Sequence, residues 1–223
     1  MRSKYEIKIT DIREKIAELL KSITDGNKLS YEAYKENDET KFQEVQNKLN
    51  NIGVSADIID NEIIKAFALF GPEADELRSL IAYLKMTNEI VRIGMGIKKY
   101  ARRMKEHMDS ACDLEPLNPT ILPLHKSTIV SLELVHECFV NIDTCNIDDN
   151  YRKIMVEESK NDDLFSVLEK DIMTHIIDEK ELAIEYVKVL GSLRKLERSC
   201  DRTVNIANLM MYAKNGGEIH LHQ

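Results

Sequence analysis

The residues in this chain best able to do chemistry are carboxylates spaced four apart. Glu158 and Asp162 lie in VEESKNDD, and Glu197 and Asp201 lie in LERSCDRTVNIA. On an α-helix that spacing puts both members of a pair on one face, one turn apart. A single such pair on an acidic helix is an ordinary solvated face, but two pairs meeting across a hairpin would make one patch of four carboxylates. Other chemistry is thin. Glu133 and His136 supply one Glu-x-x-His spacing, whereas carboxylate-bridged metal enzymes in helical bundles use such pairs on two facing helices. There is no nucleophile elbow, phosphate-cradling loop, HExxH or CxxC, and only 8 glycines from which to build such loops. The chain reads as a non-enzyme.

Several other residues attract a plainer reading. Cys112, Cys138, Cys145 and Cys200 have neither CxxC spacing nor the density of a disulfide scaffold, so reduced thiols without redox chemistry are expected. Cys200 adjoins Asp201, but neighbouring helical positions point about 100° apart, which favours a packed or inert thiol over a further ligand. His220 and His222 in EIHLH belong to a fraying terminus rather than a metal clamp. His107, His125, His136 and His175 lack a ligand-type partner at i+4 and read as rim residues. The short basic run Lys98, Lys99, Arg102, Arg103 reads as a solvated helix face, with contact to an acidic partner as the alternative.

The elements that would position these groups are helices. Apolar residues make up 43% and charged residues 31% of 223, with only 8 Gly and 4 Pro, a balance that favours long helices over turn-rich β architecture. A net charge of −8 argues against a protein that neutralises nucleic-acid phosphates. No window approaches the roughly 18 apolar residues needed to cross a bilayer, and MRSKYEIKITDIREK lacks a secretion signal's apolar stretch. A cytoplasmic protein is expected.

Ile12, Ile16, Leu19, Leu20 and Ile23 form one apolar stripe, predicting a first helix that runs on through Gly26 to a turn at Asn37 to Thr40. A second helix carries Phe42, Val45, Leu49, Ile58, Ile59, Ile63 and Phe67 to Gly71-Pro72, where Gly can end one helix and Pro begin the next. A third carries Leu77, Leu80, Leu84, Ile90, Ile93 and Ile97 toward Met104. CDLEPLNPTILP then supplies Pro116, Pro119 and Pro123, the one convincing linker. Beyond it a fourth helix holds Ile129, Leu132, Val135 and Phe139, ending near Asn146 to Asn150. A fifth holds Ile154, Phe165, Leu168, Ile172 and Ile176. A sixth holds Ile184, Val187, Leu190, Leu193, Leu196 and Ile206, ending at Gly216-Gly217. The expectation is all-α: two tandem three-helix bundles, residues 1–115 and 119–218, related by an internal repeat.

The third and sixth helices share a gapless alignment, LKMTNEIVRIGMGIKKYA at 84–101 on LGSLRKLERSCDRTVNIA at 190–207, with Leu84, Arg92 and Ala101 on Leu190, Arg198 and Ala207. LERSCDRTVNIA is similar to the ERIGD-type motif of PhoU proteins, and GPEADELRSLIAYLK resembles the segment that opens their third helix. Helix order and linker position match as well, so nearly the whole chain resembles the PhoU family. The resemblance implies a regulator of phosphate uptake and phosphate-starvation signalling. It also implies partners in the transporter ATPase of a phosphate ABC importer or a sensor histidine kinase, placing the chain at the membrane only through those proteins, and a homodimer is a further expectation. An accessory protein of a low-affinity phosphate permease and a carboxylate-bridged metal protein remain alternatives.

The resemblance further implies metal ions held by E/DxxxD pairs on the bundle surface. Glu197 and Asp201 match the pair of the sixth helix, and Glu158 and Asp162 its partner in the fifth. With a turn near Asp178 to Lys180, both pairs lie roughly 20 residues, about 30 Å, from it and arrive side by side. Four carboxylates repel unless protons or a cation neutralise them, and hard oxygen donors suit iron, manganese, magnesium or calcium. In the first half the matching positions are Leu49, Gly53, Val91 and Met95. The metal is therefore expected in the second bundle only, leaving the first a structural or docking role. Arg78 and Arg198 match family arginines, with a salt bridge between helices and a ligand contact both open.

Overall fold

The computed structural model describes residues 4–217, so His220 and His222 lie outside the described residues. Among those residues there are helices and no strands. In chain order they are α1 (Lys4–Glu36), α2 (Glu39–Lys48), α3 (Ile52–Phe70), α4 (Ala74–His107), α5 (Asn118–Val140), α6 (Ile147–Asp178) and α7 (Ala183–Asn215). Helices α1 to α4 make one bundle and α5 to α7 a second. The two lie together chiefly through α4 against α7 and α1 against α5.

The ends follow from local chemistry. Asn37 takes φ 53°, and Asp38 then caps α2, its carboxylate accepting from the backbone N–H of Thr40 at 2.8 Å and Lys41 at 3.1 Å. Gly71 ends α3 in the left-handed region at φ 53°. A capping box joins Glu73 and Glu76 at the start of α4. Asn146 caps α6 by accepting from the N–H of Asp149 at 3.2 Å.

Four expectations need correction. The second helix is broken at residues 49–51, so the first bundle has four helical segments. Leu49 there is fully buried, its methyl carbons facing Gly26 of α1, where an added Cβ would stand 3.0 Å away. The linker is shorter than its prolines suggest. Pro116 lies in a 3-10 turn at Glu115–Leu117, Pro119 in the first turn of α5 and Pro123 inside that helix. The first turn tolerates Pro119 because N–H groups there have no intrahelical partner, whereas Pro123, sixth in α5, removes one bond to the carbonyl four residues back. Ile58, Leu77, Ile184 and Val187 are exposed, Ile184 at 71%. The stripe at the start of α7 is carried by Tyr186, Val189 and Leu193 instead. Finally, Cys138 and Cys145 are joined by a disulfide across the α5–α6 turn, while Cys112 and Cys200 are buried free thiols. A pair seven residues apart has no recognisable spacing, and the turn that folds Cys145 back onto α5 makes the bridge.

Candidate metal centre

Glu158 and Asp162 project from α6, and Glu197 and Asp201 from the facing stretch of α7. A polar seam beneath them fixes the register. Asn161 sits between Glu158 and Asp162 in sequence but points inward and is fully buried. Its Nδ2 donates to the Leu124 carbonyl at 2.9 Å and the Thr128 hydroxyl at 3.1 Å, both on α5. Thr128 also donates to the Leu196 carbonyl of α7 at 3.3 Å, and Ser131 meets Thr203 at 2.5 Å. These bonds lock α5, α6 and α7 directly behind the carboxylates.

The structure brings three of the four expected ligands together. One oxygen from each of Glu158, Asp162 and Asp201 lies within 4.8 Å of the others. Ligand oxygens around a hard cation bound at about 2.0–2.6 Å stand within about 5 Å of one another, so these three have the spacing of a ligand set. Glu197 stands to one side of the trio, and its Oε2 is buried without a hydrogen-bond partner. Burial first and the Asp201 charge second push the Glu197 pKa up to about 7; Asp162 adds to the rise, and Arg194 and Arg198 oppose it. Burial, and then Asp163, raises Asp162 as well. An orphaned carboxylate oxygen beside three converging carboxylates is a donor set that fits a hard cation.

Other candidates separate cleanly. Cys200 is fully buried under the carboxylates, and burial pushes its thiol far above the usual range, so it stays protonated and is a poor ligand. Glu133 pairs with Lys28 at 2.6 Å rather than facing a metal with His136. Arg78 makes its salt bridge with Asp75 on its own helix at 2.6 Å, and its guanidinium lies against Gly216 at the end of α7. His125 is no rim residue. It is fully buried, bonded to Asn27 at 2.8 Å and edge-on to Tyr31 and Tyr100, and burial depresses its pKa to about 3.

In the first half the matching positions carry no carboxylates. Leu49 is core at the α2–α3 break, Gly53 opens α3, Val91 is half-buried and Met95 is 50% exposed. The trio on α6 and α7 is the one group of three or more such donors among the described residues. Sequence reasoning missed Asn161, which its phase would have shown: it falls on the apolar stripe of Ile154, Phe165 and Leu168, where a polar residue needs buried partners.

With this geometry in place, comparison with known proteins is decisive. A family model described as the PhoU domain matches residues 10–104 and 121–210. This chain belongs to the PhoU family. A phosphate-specific transport system accessory protein PhoU from Serratia marcescens is 26% identical over 180 residues, covering 81% of this chain and 70% of that protein. A PhoU homolog 1 from Methanothermobacter thermautotrophicus is also 26% identical, over 93% of each chain. The crystal structure of PhoU from Pseudomonas aeruginosa superimposes with a TM-score of 0.87 at 20% identity, covering 96% of this chain and 100% of that one, which shows a shared PhoU fold. The family model spans both halves, including the first, where the carboxylates are missing.

Proposed function

We propose that this PhoU-family chain is an accessory regulator of phosphate transport, acting through contacts with an importer's ATPase subunit or a sensor histidine kinase. The observation that carries the reading is the match of both halves to the PhoU domain, since relatives over nearly the whole length are phosphate-specific transport system accessory proteins. Exposed apolar residues at the tip of the α6–α7 hairpin, Ile177 at 68% and Ile184 at 71%, supply the kind of surface a protein partner covers. Affinity capture of the chain with the phosphate-importer ATPase subunit or sensor kinase of its own organism tests the contact. Retention of either partner by wild type, with loss on Ile184→Asp, supports the reading. Retention of neither, or of a low-affinity permease instead, moves the chain to another partner.

Within that role, Glu158, Asp162 and Asp201, with Glu197 at their side, would hold a hard cation such as iron, manganese or magnesium. The bound ion would supply positive charge that relieves carboxylate repulsion and ties α6 to α7. The chain's own residues align the donors, chiefly through Asn161 and the Ser131–Thr203 pair behind them.

A further inference from the structure

On the other side of α7, facing α4, lies a cleft of about 220 Å³ lined by Arg92, Met95, Gly96, Lys99, Lys195, Arg198, Ser199 and Arg202. Five of these are cations in a protein of net charge −8. The floor is narrow because small residues let the helices approach: a Cβ on Gly96 would stand 3.3 Å from the Ser199 hydroxyl and 3.7 Å from the Lys195 carbonyl.

The internal repeat explains why this concentration is unusual. The alignment that puts Arg92 on Arg198 also puts Glu89 on Lys195, Gly96 on Arg202 and Lys99 on Asn205. At one end of the α4–α7 contact, buried Glu89 accepts from Arg202 at 2.7 Å and from Asn205 at 3.3 Å, a neutralised site. Its mirror image is formed by Lys195, Gly96 and Lys99. There the acid has become a lysine and an uncharged partner has become a second lysine, so the counter-charge of the first site is absent. Neighbouring cations are paired, Arg102 with Glu106 and Arg194 with Glu169, whereas Arg92, Lys99, Lys195 and Arg198 have no salt bridge to a carboxylate among the described residues. Arg103 adds a further charge from above, its Nη1 lying 3.5 Å from the Gly191 carbonyl. Burial and then the charges of Arg198, Arg103, Lys99 and Arg194 lower the Lys195 pKa, the response of an ammonium held among like charges.

We propose that this cleft binds an oxyanion of the phosphate class, either inorganic phosphate or a short polyphosphate, between Arg92, Lys99, Lys195 and Arg198. Mutually repelling cations held at one concavity gain most from a multiply charged anion, and guanidinium forks match phosphoryl oxygens in pairs. Two arginines and two lysines exceed what a single carboxylate neutralises. The site faces α4, across α7 from the carboxylates, with Arg198 close enough to Glu197 to lower its pKa, and it does not rest on the transport reading.

The test is calorimetric titration of the full chain with orthophosphate, diphosphate, tripolyphosphate and sulfate, at low salt and with a chelator present so that no metal bridges the anion. One saturable site for a phosphate probe is expected, and the tightest probe distinguishes the free ion from the chain form. Lys195→Glu, which restores the mirror-site acid, should weaken binding about tenfold or more, as should Arg198→Gln. Arg102→Gln, outside the cleft, should leave it unchanged, and circular dichroism should show each variant folded. Equal affinity in both cleft variants, equal affinity for sulfate and diphosphate, or no saturable heat would overturn the proposal. Displacement of diphosphate by a hexaglutamate peptide at lower concentration would assign the cleft to an acidic protein segment instead. None of these outcomes bears on whether the chain engages a phosphate importer.

Discussion

Glu197 carries the sharpest expectation at the scale of single residues. Its pKa of about 7, against an ordinary 4.5, means the folded state holds a proton that the unfolded state has already released across that interval. Metal-free stability should therefore fall as pH rises from about 4.5 to 7, because the native state binds more protons there. Glu197→Gln should flatten that slope, as chemical denaturation across the pH range would read. A cation must displace the same proton, so metal affinity should rise with pH through about 7 and lose part of this dependence in Glu197→Gln. A second residue-level expectation concerns the metal itself. Glu197→Ala with Asp201→Ala should lose bound iron, manganese or magnesium by elemental analysis, together with the thermal stabilisation that metal gives the wild type by mass action. Metal retained at wild-type level, or metal density beside Val91 and Met95, would move the site elsewhere.

At the scale of elements, Asn161 and the α5–α6 turn bear the load. Replacing Asn161 by Ala removes the donor that ties α6 to α5 and leaves buried acceptors on Leu124 and Thr128, a change expected to cost about 1–3 kcal/mol in urea unfolding. Reducing the Cys138–Cys145 bridge should cost about 2 kcal/mol by chain-entropy reasoning for so short a loop. Comparing wild type with Cys138→Ser under oxidising conditions reads that difference. Limited proteolysis should cut first between Asp109 and Glu115, and not at Leu122, which is already inside α5. Much of this layer was legible in the sequence. The long period-3.6 stripes, Gly71-Pro72 and the terminal Gly216 all announce themselves through local chemistry. What escaped depends on distant neighbours. The break at residues 49–51 sets Leu49 against Gly26, 23 positions earlier in the chain, and the disulfide depends on how the turn folds back. The phase of early α7 hangs on which face meets its neighbours, so Ile184 looked like core while Tyr186 was the buried residue. The carboxylate pairs were legible through spacing and resemblance. The displacement of Glu197 from the other three was not, because side-chain direction is settled by packing.

At the scale of the whole molecule, two related bundles have diverged in charge rather than in fold. The second keeps a cluster of carboxylates on α6 and α7, and the first has apolar residues or glycine at the matching positions. The α4–α7 pair keeps an acid–base site at Glu89 and has Lys195, Gly96 and Lys99 at the matching positions, with no acid among them. The chain is a PhoU-family protein, and the role proposed for it is that of its relatives named as phosphate-specific transport system accessory proteins. The most direct test of that account deletes the gene and follows phosphate uptake and phosphate-responsive expression in rich and starved medium. The account predicts misregulated uptake or starvation expression that persists when phosphate is plentiful, restored by the wild-type chain. An unchanged phosphate response in the deletion strain would contradict it.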